Sequence, residues 1–592
     1  MTDVFCQTQT GRKRKRKRKM IDFKEKIAGI IAKTIPDADP EMVRDIVEVP
    51  QDQKMGDYAF PCFRLAKIFR KAPQMIAADI AEGIKGDPLF EKVEQVNAYV
   101  NMFLSKEQII RPTLTAALKG DRFGTDTSGE GRTIVIDFSS PNIAKPFHIG
   151  HIRSTVIGNS IYKIYSALGY NVVRTNHLGD YGTQFGKMIC AYRHWGNDDD
   201  VNRDPIRTLL SYYTRFHEEA EKDPSLDEEA RKTFYDLEHG GEDELRLWQW
   251  FTDVSLKEFN RVYDLLDIDF DAYDGESMYS DMMQQHIDAL RDKGLLIESQ
   301  GANVVMLDQF DLPPALITKS DGTTLYCTRD IATAVYRKEH YDFYKNIYVV
   351  ASQQNLYFKQ LWKVLELMGF EWAEDCVHVP FGMVSLEEGT MSTRKGRVVF
   401  LEDVLLQAIE KTKIIIAEKN PDADQDMIDS VARDVGVGAV VFNELSNNRI
   451  KDYVFKWDQV LNFDGETGPY VQYTHARCSS VLRKAGEETV RAAESVDDLD
   501  LKYLTSDSAY TLIKLINAYP QVIHDAADRY EPSIVTRHII DVAQAYNKFY
   551  HDEHILTDNE DEKNAKIALT IAARNTVRNG LALLGVKAPE RM

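Results

Sequence analysis

The sequence predicts an α/β and α multidomain protein. A parallel-sheet domain with helical insertions follows a small α+β module and precedes an all-helical block. Three observations predict it. The chain has 592 residues, enough for roughly four domains at ~150 residues each. Between 133 and 176 an apolar run, a loop, a helical stretch and a second apolar run succeed one another, which is the pattern of a βαβ unit. From about 403 to the end the apolar spacing is helical, apart from a glycine-rich interruption at 462–477.

The elements follow in order. Residues 22–35 and 62–85 carry helical apolar spacing. VEQVNAYVNMFLS (93–105) alternates as one strand, with Val96, Ala98, Val100 and Met102 on one side and Asn97, Tyr99, Asn101 and Phe103 on the other. The second face is open to two readings, ordinary sheet packing or a wet recognition surface. DRFGTDTSGEGR (121–132) reads as a linker. TIVIDF (133–138) is a buried strand; Ile152, Val156, Ile157, Ile161, Ile164 and Leu168 recur at helical spacing; Gly169 stands at the C′ position; NVVRTN (171–176) is the next strand. Residues 189–300 are helical and acidic, with Trp248, Trp250 and Phe251 as core. Strands return at KNIYVVAS (345–352) and CVHVPFGMV (376–384), and the loop SLEEGTMSTRKGR (385–397) follows. This divides the chain into a basic tail (1–20), an N-terminal module (21–125), the sheet domain (126–455) and the helical block (456–592).

Composition narrows the class. Hydrophobic residues are 43% and charged residues 28%, the profile of a soluble globular protein. No apolar stretch reaches the ~18 residues of a membrane span, so no membrane association is expected. Cysteines 6, 62, 190, 327, 376 and 478 form no CxxC pair, which fits a reducing, cytoplasmic compartment. The net charge is −20. Residues 12–19 read RKRKRKRK, and without 1–20 the balance is 65 cations against 92 anions, or −27. So acidic a body argues against unselective coating of DNA. The basic run is a solvated tail or a weak polyanion tether; it lacks the apolar region of a secretory signal, and Met20 behind it is a candidate start.

His148-Ile149-Gly150-His151 stands where the first buried strand hands over to its helix. Ligands of open parallel sheets bind at the carboxyl ends of strands, and a helix N-terminus offers free N–H groups to phosphate. Two histidines three apart can both face a triphosphate there, and Gly150 lets a nucleotide approach the backbone. Chemistry at a phosphate so placed calls for pre-placed donors and cations rather than a covalent nucleophile.

FSSPNIAKPFHIGHIRSTVIGN (138–159) resembles the HIGH region of class I aminoacyl-tRNA synthetases in the form used by arginyl-tRNA synthetases. Further signatures of that family follow in order: NHLGDYGTQFG (176–186), FDAYDGES (270–277), SDGTTLYCTRDIATA (320–334), MSTRKG (391–396) in the KMSKS position, GETGPYVQYTHAR (465–477) and the ending NGLALLGVKAPERM (579–592). The resemblance implies a class I Rossmann-type catalytic domain, an N-terminal domain that touches the outer corner of tRNA and a helical anticodon-binding domain of DALR type. It implies arginine–tRNA ligation: L-arginine and ATP give arginyl-adenylate, and the arginyl group passes to the 3′ end of tRNA(Arg). Mg²⁺ is expected with ATP, without a dedicated protein metal site, and a monomer is expected.

Residue by residue, the resemblance places ATP on His148, Gly150 and His151 and on Met391, Ser392, Arg394 and Lys395 of the signature loop. His148, His151 and Lys145 take the catalytic roles. Thr390 and Thr393 replace the two lysines of the general pattern, and Lys145, Arg394 and Lys395 are the alternative suppliers of the missing charge. Asp137, Asn142, Tyr326, Asp330 and Gln354 form the arginine pocket, and Tyr357 receives no role. A carboxylate is the natural bidentate partner of a guanidinium. If 326–334 is helical, the i,i+4 spacing puts the Tyr326 phenol and the Asp330 carboxylate on one face. The resemblance also implies tRNA contacts at Tyr99 and Asn101 in the N-terminal module and at Tyr470, Tyr473, Tyr550 and Met592 in the helical block, and aromatic side chains suit stacking on unpaired bases. Two rivals stay open on sequence: another HxGH synthetase or nucleotidyltransferase, and a non-catalytic tRNA-binding relative.

Overall fold

The computed structural model describes residues 23–35, 39–319, 325–386, 399–419, 421, 423–463 and 465–592. The basic tail and the MSTRKG signature, with Met391, Ser392, Arg394 and Lys395, lie outside the described residues.

The N-terminal module packs α1 (Phe23–Thr34) on α2 (Pro73–Ile84), and α2 against a three-stranded antiparallel sheet. Its strands are β1 (Tyr58–Pro61), β2 (Phe90–Val96) and β3 (Tyr99–Leu104), in the order β1-β3-β2. The single strand expected over 93–105 is therefore a hairpin. Val96 pairs with Tyr99, and Asn97 turns the chain in the left-handed region at φ 54°, which asparagine tolerates better than most residues. Helix α3 (Lys106–Ala117) leads out of the module.

The central sheet is parallel, in the order β10 (Cys376–Phe381), β9 (Lys345–Ala351), β4 (Thr133–Asp137), β5 (Asn171–Thr175). Strand β4 (Thr133–Asp137) is covered on both faces; Ile134, Val135 and Ile136 are fully buried. Helix α4 (Ile152–Ala167) carries the chain to β5 (Asn171–Thr175). Its Gly158 lies so close to β4 that a Cβ there would meet the Phe138 ring at 2.2 Å. The helical insertion includes α5 (Thr183–Trp195) and α6 (Glu242–Leu266), with Phe251 in the core and Trp248 and Trp250 at its margin. A small antiparallel sheet that the sequence reading missed follows: β6 (Leu296–Ser299), β7 (Ala302–Val305) and β8 (Ala315–Lys319). Helix α7 (Tyr326–Tyr341) then returns the chain to the sheet on the other side of β4, as β9 (Lys345–Ala351), α8 (Asn355–Leu367) and β10 (Cys376–Phe381). The strand order thus reverses at the carboxyl ends of β4 and β9, where a parallel sheet opens its ligand crevice. The run expected to continue β10 to 384 instead breaks at Gly382. Strand β11 (Val384–Leu386) pairs elsewhere, with β12 (Tyr453–Phe455) beyond α9 (Leu401–Lys419) and α10 (Gln425–Ser446).

The C-terminal block is helical: α11 (Gly468–Ala485), α12 (Asp507–Arg529), α13 (Ser533–Asp552) and α14 (Glu560–Leu583). Leu512, Ile516, Tyr519 and Ile523 form the buried stripe of α12. The block is docked on both other regions. Tyr165 donates to the Ala527 carbonyl (2.9 Å), Ser160 to that of Leu583 (2.9 Å) and Asn575 to that of Ala117 (3.1 Å).

Candidate active site

The loop after β4 is strained. Ser139, Ser140 and Ala144 have φ of 74°, 48° and 58°, a region costly for side-chain-bearing residues. Its surroundings hold it there. Ser154 Oγ accepts from the Ser139 N–H (2.9 Å), Asn176 Oδ1 from the Ser140 N–H (3.1 Å) and Ser255 Oγ from the Ala144 N–H (3.0 Å). The loop delivers His148 to the entrance of α4. There the His148 Nδ1 accepts from the Gly150 N–H (3.0 Å), and the His148 N–H faces the His151 Nδ1 at 3.1 Å. The two rings lie 4.0 Å apart, and Phe147 stacks on His151 at 5.0 Å. Burial lowers both imidazole pKa values, that of His151 to about 3 with help from His148. The pair is neutral at physiological pH, and His148, accepting at Nδ1, carries its proton on Nε2 as a donor.

The chain on either side of the signature loop is tied to this segment. The Ile149 N–H donates to the Val399 carbonyl and the Leu401 N–H to that of Phe147, each at 3.0 Å, while β11 is held by β12. Arg153, on the first turn of α4, forms a fully buried ion pair with Glu444 of α10 (2.6 Å); Glu444 also accepts from Tyr453 of β12 (2.5 Å).

Beside the histidines lies a cluster of charge. Asp137, at the end of β4, is bound to Arg337 of α7 (2.8 Å, both buried) and accepts from Ser140 (2.9 Å). Asp137, expected in the arginine pocket, is thus engaged by a cation on one carboxylate oxygen and by a hydroxyl on the other. Arg329 pairs with Glu276 (2.8 Å) and lies over the Tyr181 ring. Asp330, one turn from Tyr326 on the helix expected there, makes no ion pair among the described residues, and its carboxylate accepts from the Tyr357 hydroxyl. Burial pushes the Asp330 carboxyl up to about 6, although the Tyr357 hydrogen bond pulls it down, and burial pushes Glu276 up to about 7. Tyr326 is 70% exposed at the mouth. Asn142 lies against Gly179, where a Cβ would meet its Oδ1 at 2.3 Å. Gln354 is exposed on the turn between β9 and α8. Lys145 donates to Gln184 (2.8 Å) and helps keep the Glu276 carboxyl ionised.

Of the tRNA candidates, Tyr99 is half-buried against the exposed Phe63 ring (5.5 Å), a partner the sequence reading missed. Asn101 is 1% exposed, which favours sheet packing over a wet recognition surface at that position. Tyr473, Tyr550 and Met592 line one cavity of about 610 Å³ with Arg477, Arg483 and Arg591. The Arg477 guanidinium lies 4.9 Å from the Tyr473 ring and 5.4 Å from that of Tyr550. Tyr470 is not on the lining; its hydroxyl accepts from Asn547 (2.9 Å), which also binds Arg477.

Comparison with known proteins bears on the same regions. Residues 22–104 match the family described as arginyl tRNA synthetase N terminal domain, 113–457 that of class I tRNA synthetases (R), catalytic domain, and 471–592 the DALR anticodon binding domain. The arginine–tRNA ligases of Halothermothrix orenii and Clostridioides difficile are each 55% identical over 574 residues, covering 97% of this chain and all of theirs. Among solved structures, the Thermus thermophilus arginyl-tRNA synthetase superposes with a TM-score of 0.80 at 25% identity, covering 96% of this chain and 100% of its own. That of Plasmodium falciparum gives 0.79 at 25% identity, over 97% and 100%.

Proposed function

The chain belongs to the arginyl-tRNA synthetase family and catalyses arginine–tRNA ligation, and from that premise we propose how its residues divide the work. ATP lies with its phosphates at the entrance of α4, on the His148 and His151 rings and the Gly150 backbone. Neutral imidazoles donate hydrogen bonds to the α-phosphate, and these strengthen as charge accumulates when the arginine carboxylate attacks and pyrophosphate leaves. Lys145 or the loop cations Arg394 and Lys395 supply the positive charge on the phosphates. Among the described residues no cluster of histidine, cysteine, aspartate or glutamate could hold a metal ion. The Mg²⁺ expected with ATP is assigned to the nucleotide in this proposal, and no step runs through it.

The choice of amino acid rests on one observation. The two arginines beside the crevice are consumed by Asp137 and Glu276, so Asp330 keeps its negative charge for a ligand. A guanidinium meets that carboxylate edge-on, with the Tyr326 phenol over its plane and Gln354 and Asn142 as neutral partners. The tRNA reaches the site from two directions. Its outer corner meets Tyr99 and Phe63, and anticodon bases enter the cavity of Tyr473, Tyr550 and Met592, where Arg477 offers a cation between two stacking rings. No described helix is long and apolar enough to cross a membrane; a cytoplasmic monomer is the form proposed.

Charging of total tRNA with each of the twenty labelled amino acids tests the whole. Arginine alone should be transferred, and only with ATP. Binding of tRNA without charging by any amino acid would favour the non-catalytic alternative.

A further inference from the structure

Tyr357 has no part in the reaction as outlined. It stands on the first turn of α8, three residues beyond Gln354, with its ring edge-on to Phe358 at 5.5 Å. Its hydroxyl donates to Oδ2 of Asp330, the one hydrogen bond of that carboxylate among the described residues. Burial holds the phenol well above its ordinary pKa, so it remains a donor throughout the working range.

We propose that Tyr357 is a positioning residue for arginine selection, anchoring Asp330 through Oδ2 so that Oδ1 is held in the plane a guanidinium fork requires. The inference rests on the reading of Asp330 as the guanidinium partner. A free carboxylate rotates about its last torsion, and a two-pronged contact loses affinity if that rotation must be frozen on binding. Most buried carboxylates are fixed by a cation, as Asp137 is by Arg337 and Glu276 by Arg329. A cation on Asp330 would orient it equally well and cancel the charge that attracts the substrate. A phenol orients it and leaves the charge in place. The other groups acting on Asp330 are Arg329 and Arg337 of α7, Asp137 of β4, Tyr348 of β9, Cys327 and Glu276, and both arginines have nearer carboxylates.

The test compares Tyr357→Phe, Asp330→Asn, the double variant and Tyr357→His, which keeps a ring N–H donor, in full-length protein with tRNA present. Tyr357→Phe should raise KM for arginine about tenfold, by loss of one hydrogen bond to a charged group. Its kcat and its KM for ATP should stay within about twofold of wild type. In the Asp330→Asn background the same change should add less than about twofold, because the anchored charge is gone. The acid limb of kcat/KM for arginine should move to higher pH in Tyr357→Phe, which loses a bond favouring the ionised carboxylate. Tyr357→His should recover most of the loss. Wild-type arginine KM in Tyr357→Phe, with Asp330→Asn impaired, overturns this inference alone. Wild-type KM in Asp330→Asn overturns the underlying reading and the inference with it. A parallel rise in KM for arginine and ATP would mark Tyr357 as merely structural.

Discussion

With Asp330 as the proposed guanidinium partner, its ionisation sets the pH dependence of arginine binding. Its carboxyl, raised by burial to about 6, is neutral below that pH and charged above it. A cationic substrate binds the charged form, so KM for arginine should fall as pH rises through about 6; Glu276, near 7, titrates beside it, and the profile belongs to the pair. The same shift has a sign for stability. A carboxyl raised in the fold contributes stability that is present below its unfolded pKa and lost as pH rises through the folded value. Asp330→Asn should therefore melt above wild type at pH 8, with the gap narrowing below pH 6 and closing near the unfolded carboxyl pKa of about 4, while binding arginine poorly. A lower melting temperature at pH 8 would show that the ionised carboxylate is comfortable without substrate. The histidines make the opposite kind of prediction. His148→Ala and His151→Ala should each cost about 3–4 kcal/mol of transition-state stabilisation, by analogy with removing one oxyanion donor. Arginine affinity should hardly change, which pyrophosphate exchange at saturating and limiting arginine will show. These two residues were legible in the sequence because the motif is contiguous and sits behind a recognisable strand. The ion pairs around Asp330 were not. Asp137 and Arg337 are 200 positions apart, Glu276 and Arg329 are 53 apart, and no spacing rule connects them. The structure gives Arg329 and Arg337 of the same helix to carboxylates other than Asp330. Tyr357, assigned no role, proved to be its neighbour.

At the scale of elements, legibility followed burial pattern. Strands β4, β5 and β9 are short apolar runs bounded by loops, and the structure matches them within a residue or two. The β2–β3 hairpin was read as one strand for a physical reason. The two-residue turn pairs Val96 with Tyr99 and so switches the faces by one residue, a switch that the uninterrupted alternation of residue types through Asn97 and Ala98 conceals. Strands β6 to β8 are four or five residues each and partly exposed, too short to stand out from loops. The junction of α4, α10 and β12 was equally invisible, since Arg153 and Glu444 meet only in the fold. Both are essentially inaccessible to solvent, and Glu444 also receives the Tyr453 hydroxyl. Removing one partner leaves a buried charge uncompensated. Glu444→Ala should lower unfolding stability by about 3–5 kcal/mol, and Tyr453→Phe by about 1 kcal/mol. Denaturant midpoints measure both. A Glu444→Ala loss below about 1 kcal/mol would mean that water reaches Arg153.

The whole molecule must bring a polyanion to an acidic body. Without residues 1–20 the chain carries 65 cations against 92 anions, so long-range attraction to tRNA cannot come from net charge. Local cations supply part of the answer: Arg477, Arg483, Lys484 and Arg591 share the cavity with Tyr473 and Tyr550. Their field is short-ranged and useful only after the tRNA has arrived and oriented. Arg477→Ala should accordingly raise KM for tRNA and leave arginine KM alone. The eight cations at 12–19 are of a different kind, concentrated in one run and followed by no apolar segment. If they act as a tether, they raise the encounter rate rather than the affinity of the docked complex. Salt then decides the matter. Such an attraction is screened over ~8 Å at physiological strength and over about 3 Å at 1 M. Deleting residues 1–19 should raise KM for tRNA at low salt with kcat unchanged, and the difference should vanish as salt approaches ~1 M. Initial charging rates across a salt series in both forms check this. An unchanged KM at low salt would show that the acidic body captures its tRNA through the local cations alone.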